Sequence, residues 1–322
     1  MPPMPTSLNR NLPQPEGLQL ANGYRSPASL PPWPILDPLL QAWLAEDIGR
    51  GDRATQALFP DTYAASGPIT TAELRLKQPG RIAGLPLFQR VFHLLDPQVS
   101  VTVIVTEGTA CPSGTTVAQL RGPMAAVLTG ERVALNLIMH LSGIATLTQR
   151  YVAQLADLPT QLLDTRKTTP GLRLLEKYAT QVGGAINHRW GLDDALMLKD
   201  NHIAAAGGIA AAIALARAQM PMPLTLEVET ETLEQVQAVL AHKVDIIMLD
   251  NMPPHLMVQA VQLIRQRCDA LGHQIKIEAS GNITLDTIRT VAQTGVDYIS
   301  TSAPITQASW LDLSLKLTDN RE

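Results

Sequence analysis

The sequence predicts an α/β protein whose larger part is a parallel β/α barrel, and three observations point to this fold class. Beyond residue 155, strand-like and helix-like segments take turns along the chain, which is typical of a parallel sheet covered by helices. The strand-like segments are continuously apolar, as in 244–249, which indicates burial on both faces. Polar residues follow most of the strands. An open doubly wound sheet would also alternate, but convergence of so many strand ends on one place favours a barrel.

The region before the barrel divides into an extension and a small domain. Residues 1–33 are rich in Pro, Asn, Ser and Gln, which predicts a disordered or loosely attached extension, and they lack the basic start and apolar stretch of a secretory signal. Between Pro34 and Gly130, short segments alternate apolar with polar residues and are interrupted by Gly and Pro, as in a half-exposed sheet. This part predicts an α+β domain with a short helix ending at Gly49. The expected strands are 69–76, 99–107 and 116–121.

A long helix over 131–155 then joins this domain to the barrel, because apolar residues recur along it at helical spacing. Six strands are expected in the barrel. They are 161–164, 195–199, 224–229, 244–250, 274–279 and 296–300. Helices are expected to begin near Leu172, Gly208, Leu233, Pro254 and Leu285.

Composition and charge exclude several classes of function. The chain has 322 residues, 45% of them hydrophobic and 17% charged, which is enough apolar material for a sizeable core. The formal charge of -4 gives no basic field for nucleic acid or an anionic membrane, and no apolar run is long enough to span a bilayer. Cys111 and Cys268 are far apart with no CxxC, so we expect unpaired thiols and a cytoplasmic location. No Gly-rich nucleotide loop of the GxGxxG or GxxxxGK[ST] type occurs in the expected context.

Basic residues are expected at neighbouring strand ends of the predicted barrel. They are Arg166, Lys167, His188, Arg189 and Lys199, with Thr165 beside them. So much positive charge converges at one rim only if an anionic ligand neutralises it, and Arg together with Lys suits a ligand with two or more carboxylates or phosphates. The alternative is that these are solvated loop charges paired with local acids such as Asp193, Asp194 and Asp200.

Acidic and small residues follow the other strands. Glu229 and Asp250 could hold Mg²⁺ or face a developing cation, and their alternative is a structural salt bridge to Lys199 or Arg166. Ser280 with Gly281, and Ser300 through Ser302, place small residues where helices begin, which favours phosphate binding. Each is also an ordinary helix cap.

In order along the chain, these segments resemble quinolinate phosphoribosyltransferase, also called nicotinate-nucleotide pyrophosphorylase (carboxylating), an enzyme of NAD biosynthesis. The resemblance covers residue 34 to the C-terminus. Its motifs are EDIGRGD at 46–52, ERVALN at 131–136, DTRKTTPG at 164–171, GG at 183–184 with NHR at 187–189, LKDNH at 198–202, EVE at 227–229, LDN at 249–251 and EASG at 278–281.

The resemblance implies an incomplete parallel β/α barrel over 136–304 with an N-terminal α/β (α+β) sandwich over 34–135, on which 305–322 packs back. It implies a homodimer with a shared active site, and leaves a hexamer open. Quinolinate would be bound by Arg166, His188, Arg189 and Lys199, with Arg132 reaching in from the partner. Phosphoribosyl pyrophosphate and Mg²⁺ would be handled by Lys167, Glu229, Asp250, Ser280, Gly281 and Ser302, with Lys167, Glu229 and Asp250 catalytic and the two acids as metal ligands.

The sequence departs from the family pattern at two places. Ser302 stands where the family commonly has Gly, so its phosphate contact is in doubt, and Asn282 also replaces a common Gly. Three other functions stay open on the residues. One is a pyrophosphorylase-like protein of molybdenum transport operons, another is a non-catalytic barrel that senses a dicarboxylate, and the third is a Schiff-base aldolase using Lys167 or Lys199.

Overall fold

A computed structural model describes residues 28–59 and 68–318 of the chain. Most of the predicted extension, residues 1–27, and the last four residues lie outside the described part, so the expectation about the extension is not addressed. No described helix combines the length and the apolar character needed to cross a membrane.

The N-terminal part is built on a four-stranded antiparallel sheet. Its strands are β1 (Ile69–Leu76), β3 (Ser100–Val103), β5 (Thr116–Pro123) and β12 (Leu313–Thr318), in the order β12-β1-β5-β3. The predicted strand at 99–107 is therefore shorter than expected. Two short strands, β2 (Gly80–Arg81) and β4 (Ala110–Cys111), pair separately. Helices α1 (Trp33–Ile48), α2 (Arg53–Leu58) and α3 (Leu85–Leu95) complete this part, and Gly49 ends α1 as predicted.

The linking helix α4 runs from Met124 to Ala153 and begins seven residues before the predicted start at 131. Gly130 directly precedes the predicted start of the helix. Gly130 instead lies inside the helix where α3 packs closely, because a Cβ there would stand 2.8 Å from Leu95 and 2.9 Å from Phe92. A glycine in a helix can mark close packing as well as an end. The helix therefore runs continuously across residue 135, and its buried residues contribute to both apolar cores.

Six parallel strands form the second sheet, in the order β6-β11-β10-β9-β8-β7. They are β6 (Gln161–Leu163), β7 (Leu196–Leu198), β8 (Leu226–Thr230), β9 (Ile246–Asp250), β10 (Lys276–Ser280) and β11 (Tyr298–Ser300). In the described part of the chain, β6 and β7 are the outermost strands of this sheet. An isolated parallel bridge between Leu163 and Ile186 adds a further segment beside β6. The predicted class, a parallel α/β barrel joined to an antiparallel α+β domain, is confirmed.

Helices cover the parallel sheet and bury its apolar side chains in the second core. They are α5 (Arg173–Val182), α6 (Asp200–Ala205), α7 (Ile209–Gln219), α8 (Leu233–Leu240), α9 (Pro254–Leu271), α10 (Ile288–Ala292) and α11 (Ala303–Thr306). The start predicted near Leu285 was early, because Thr287 Oγ1 accepts a bond from the Thr284 backbone N–H at 2.9 Å and closes a turn first. The carboxyl ends of all six strands lie along the same edge of the sheet.

Candidate active site

The carboxyl ends of the parallel strands surround a cavity of about 850 Å³. All but one of the predicted site residues line it. These are Thr165, Arg166, Lys167, His188, Arg189, Lys199, Glu229, Asp250, Ser280, Gly281 and Ser302. Arg132 is the exception, because it lies exposed on α4 and does not line the cavity of its own chain. Its predicted role from a partner subunit stays a prediction.

The first basic residues are placed by a buried carboxylate just after β6. Asp164 is 2% exposed and accepts hydrogen bonds from Thr180 Oγ1 at 2.8 Å, Asn187 Nδ2 at 2.6 Å and the His188 backbone N–H at 2.9 Å. Its fourth donor is the Lys177 ammonium, which is completely buried. Asp164 therefore belongs to the protein interior, although it opens the motif that continues with Thr165, Arg166 and Lys167. These bonds join the segment after β6, which contains Arg166, to the segment that contains His188 and Arg189.

Sequence reasoning missed Lys177, which lies in α5. Burial lowers the pKa of Lys177, and the neighbouring Asp164 carboxylate opposes that shift. The ammonium also stands 5.5 Å from the centre of the Trp190 ring. A lysine in a predicted helix gives no signal in the sequence that it points inward, because most helical lysines are exposed.

The two guanidiniums at this end of the cavity face little negative charge. Arg189 donates to the Ala195 carbonyl at 3.0 Å, and burial, followed by the proximity of Arg166, lowers its pKa. Among the described residues, no carboxylate lies within ion-pairing distance of Arg166, Lys167 or Arg189. Asp194 instead accepts from the Trp190 backbone N–H at 2.5 Å. The pairing with local acids that the sequence left open is therefore absent here, and the positive charge faces the cavity.

His188 stands above two buried acids on the inner face of the sheet. Its Nε2 lies 3.4 Å from Glu227 and 3.3 Å from Glu278, both at most 1% exposed. Burial by itself would lower the pKa of His188, but the two carboxylates outweigh it and raise that pKa. Burial, together with Glu278, raises the pKa of Glu227. Both acids are visible in the sequence, since each interrupts an otherwise apolar strand, but the strand-end pattern assigns neither to the site.

These three residues place one ligand atom each within 4.8 Å of one another, which is compact enough for a metal ion. The hydrogen bonds of His188 argue against that use. Its Nδ1 accepts from the Arg189 backbone N–H at 2.7 Å, so in the neutral ring the proton is on Nε2, where it points to the acids. A metal ion would need that nitrogen unprotonated.

Lys199 and Glu229 form an ion pair at 2.6 Å across the ends of β7 and β8. The salt bridge that the sequence offered as the alternative for Glu229 is thus present. Both side chains also line the cavity, so the pair does not remove them from the site. It orients an ammonium and a carboxylate toward the same space.

The remaining strand ends provide small residues and one more acid. Asp250 ends β9, Ser280 ends β10, and Gly281 follows it. Gly281 has φ 95°, a conformation that favours glycine, and its lack of a side chain lets the neighbouring strand end approach. Ser302 directly precedes α11, and its carbonyl accepts from the Ile305 backbone N–H at 2.9 Å, as in a helix start.

The fold and this cavity define an enzyme of the β/α-barrel type that binds a small polyanion between unpaired basic groups and rim carboxylates. Comparison with known proteins narrows this class. The family model for the quinolinate phosphoribosyl transferase N-terminal domain matches residues 52–142, and that for its C-terminal domain matches 144–316. The chain belongs to the quinolinate phosphoribosyltransferase family.

Relatives agree over nearly the whole chain. A probable nicotinate-nucleotide pyrophosphorylase (carboxylating) from Synechocystis sp. is 55% identical over 291 residues, covering 90% of this chain and 95% of the relative. A protein of the same name from Bacillus subtilis is 42% identical over 287 residues, covering 89% and 95%. The crystal structure of NadC from Streptococcus pyogenes superposes with a TM-score of 0.83 at 43% identity, covering 90% and 99%.

Proposed function

We propose that this protein transfers the phosphoribosyl group of 5-phosphoribosyl 1-pyrophosphate to the ring nitrogen of quinolinate. Pyrophosphate leaves the anomeric carbon, the 2-carboxylate leaves as CO₂, and nicotinate mononucleotide is formed. The observation that carries this proposal is that Arg166, Lys167 and Arg189 have no described acidic partner and line one cavity with Glu229 and Asp250. Such a cavity suits a dianionic base and a sugar phosphate together. The identity of the two substrates, quinolinate and phosphoribosyl pyrophosphate, is inferred from the family.

Quinolinate lies between the basic groups at the β6 and β7 ends of the cavity. Arg166 and Arg189 bind its carboxylates, since a guanidinium can donate two parallel hydrogen bonds to a carboxylate. Lys199, held by Glu229 at 2.6 Å, supplies a fixed positive charge. His188 forms the part of the cavity wall between these basic groups. The ring nitrogen is thereby pointed at the sugar, and much of the rate acceleration comes from this orientation.

The phosphoribosyl group lies toward β8, β9 and β10. Lys167, Ser280, Gly281 and Ser302 contact its phosphates, and Glu229 and Asp250 face the anomeric carbon. As the bond to pyrophosphate lengthens, the sugar gains oxocarbenium character, which nearby carboxylates stabilise as they do in glycosyl transfer. These charges are in place before the reaction begins, so they need no reorganisation during it.

Glu229 and Asp250 are also the residues that would hold Mg²⁺. Their hard carboxylate oxygens line the same cavity, which is the kind of ligand that Mg²⁺ binds, partly through water and substrate phosphates. When bound, the ion neutralises charge on the departing pyrophosphate. Isothermal titration of Mn²⁺, with and without pyrophosphate, tests this apart from turnover. Equal affinity in the Asp250→Asn and unsubstituted proteins would contradict the assignment.

Loss of CO₂ follows from the chemistry of the ring. Once the nitrogen carries the sugar, it draws electrons from the ring, so the bond between C2 and the carboxylate can break with its electron pair left at C2. A proton then adds at C2. The basic groups around the remaining carboxylate keep the product oriented while this happens.

The active enzyme is a cytoplasmic homodimer in this proposal. Arg132 supports the homodimer, because this residue is exposed in the single chain and does not line its cavity, yet belongs to a motif that resembles the family. In a homodimer it completes the quinolinate site of the partner.

Turnover of the purified protein tests the proposed function. With quinolinate, phosphoribosyl pyrophosphate and Mg²⁺, it should release CO₂ and nicotinate mononucleotide in equal amounts. Activity with another base and none with quinolinate would point to the pyrophosphorylase-like protein of molybdenum transport operons. Quinolinate binding without any turnover would point to a dicarboxylate sensor.

A further inference from the structure

The rim between β9 and β10 contains two asparagines in an uncommon backbone conformation. Asn251 has φ 54° and Asn282 has φ 52°, and no other non-glycine residue in the described part of the chain has positive φ. Asparagine tolerates this left-handed region better than most residues, but it is still disfavoured. Residues held there often lie at functional sites, where the surrounding contacts keep them in place.

A directed series of hydrogen bonds links these asparagines to Asp250. Asn282 Nδ2 donates to Asn251 Oδ1 at 3.1 Å, and Asn251 Nδ2 donates to Asp250 Oδ2 at 2.7 Å. The carboxylate fixes the direction, because it can only accept. If the Asn251 amide were turned over, its oxygen would face the Asp250 oxygen and two amide nitrogens would face each other.

The backbone holds Asn251 in place from the other side. Its backbone N–H donates to the Ser280 carbonyl at 2.9 Å and so continues the pairing of β9 with β10. Gly281 lies against it, since a Cβ at Gly281 would collide with the Asn251 carboxamide and stand 2.8 Å from the Asn251 backbone nitrogen. The carboxamide is thus packed on glycine backbone on one side and hydrogen-bonded at both of its polar atoms. Its bond to Oδ2 restrains the plane of the Asp250 carboxylate, which lines the cavity.

We propose that Asn251 and Asn282 are positioning residues that orient the Asp250 carboxylate toward the reacting sugar. The proposal rests on the role given to Asp250 in the proposed function. A carboxylate on a free side chain rotates about two bonds, whereas the series of bonds selects one orientation before substrate arrives, which is what electrostatic stabilisation of a transition state needs. At position 282, asparagine adopts the left-handed backbone and adds the outer bond.

Three variants, made in the full-length enzyme, test the series. Asn251→Gly removes both bonds while tolerating the backbone conformation, and Asn282→Gly removes only the outer one. Asn282→Asp keeps the shape of the side chain but loses the donor.

We expect kcat to fall about tenfold in Asn251→Gly, the equivalent of one hydrogen bond to a charged group, and about two- to threefold in Asn282→Gly. Asn282→Asp should lose at least as much as Asn282→Gly. Quinolinate affinity, measured by calorimetry without the second substrate, should change less than about twofold in all three, because quinolinate lies at the other end of the cavity.

Asp250→Asn and the double variant with Asn251→Gly separate the possible failures. If Asp250→Asn keeps full kcat, the role of Asp250 is wrong and this inference fails with it. If Asp250→Asn loses activity but Asn251→Gly does not, only the positioning inference is wrong. In the Asp250→Asn background, Asn251→Gly should cost nothing further, because the carboxylate it orients is already gone. If the losses of kcat in Asp250→Asn and Asn251→Gly multiply in the double variant, Asn251 acts on something other than Asp250. If quinolinate affinity in Asn251→Gly falls by as much as kcat, Asn251 has a general structural role.

Discussion

Replacing Asp164 by Asn is the sharpest test of how the basic end of the cavity is held together. Asp164 and Lys177 are an ion pair with at most 2% of either residue exposed, and Asp164 also receives bonds from Thr180, Asn187 and His188. Asparagine has nearly the same size, but it has one acceptor oxygen where aspartate has two. The variant therefore leaves the Lys177 ammonium buried without a counter-charge and turns an amide group toward two of the four donors.

The expected loss of stability is about 3–5 kcal/mol, the range for removing one partner of a buried ion pair. For a protein of this size, that corresponds to a fall in the unfolding temperature of roughly 4–7 °C. Neutralising the other partner as well should recover part of the loss, so Asp164→Asn with Lys177→Met should unfold at a higher temperature than Asp164→Asn alone.

Differential scanning calorimetry and urea unfolding measure this effect, with Asp157→Asn as the matched control. Asp157 pairs with Arg289 at 2.7 Å in the same fold, but its side chain is 63% exposed, so its loss should barely move the unfolding temperature. If Asp164→Asn shifts the transition no more than Asp157→Asn, the buried pair does not hold this region. If the double variant is less stable than Asp164→Asn, the unpaired ammonium is not the cause of the loss.

Three further predictions concern the site and its surroundings. Arg166→Ala should weaken quinolinate binding by about 2–4 kcal/mol in calorimetry while changing phosphoribosyl pyrophosphate binding far less, and equal losses would contradict its role. Mixed dimers of Arg132→Ala subunits with Asp250→Asn subunits should regain activity, since one of their two shared sites is intact, whereas inactive heterodimers would exclude a contribution in trans. Burial alone would raise the pKa of Glu176 above its ordinary value of 4.5, but bonds from His140 at 3.0 Å and the Thr169 N–H at 2.8 Å lower it. Its stabilisation should be complete above pH 4.5 and be lost as pH falls through the lower folded value, so Glu176→Gln should flatten the acid side of the stability profile, and an unchanged slope would count against this.

The barrel could be predicted because its signals are local in the sequence. Each strand of the parallel sheet is short and apolar, and each is followed by polar residues such as Lys199 or Asp250, so both the element and the side of the sheet it serves can be inferred. It could also be predicted that residues from separate strands line one cavity, because the carboxyl ends of parallel strands share an edge.

What could not be predicted depends on contacts between distant residues. Gly130 lies inside α4 where Phe92 and Leu95 pack against it, and nothing near it in sequence indicates this contact. Lys177 is buried because Asp164 lies opposite, on another element. Glu227 and Glu278 interrupt apolar strands visibly, but their meeting at His188 depends on the order of strands in the sheet. Arg132 was assigned by family resemblance alone, since its own helix gives it no site.

The position of β12 has a consequence for how the protein folds during synthesis. Leu76 of β1 pairs with Leu313 of β12, so the strand that completes the antiparallel sheet leaves the ribosome after the whole barrel has been made. Until then, β1 presents an unpaired edge that can join to another chain. Pairing over so long a loop is slow to form. The edge of β1 is therefore the part of this sheet that stays open for the time that the barrel takes to emerge.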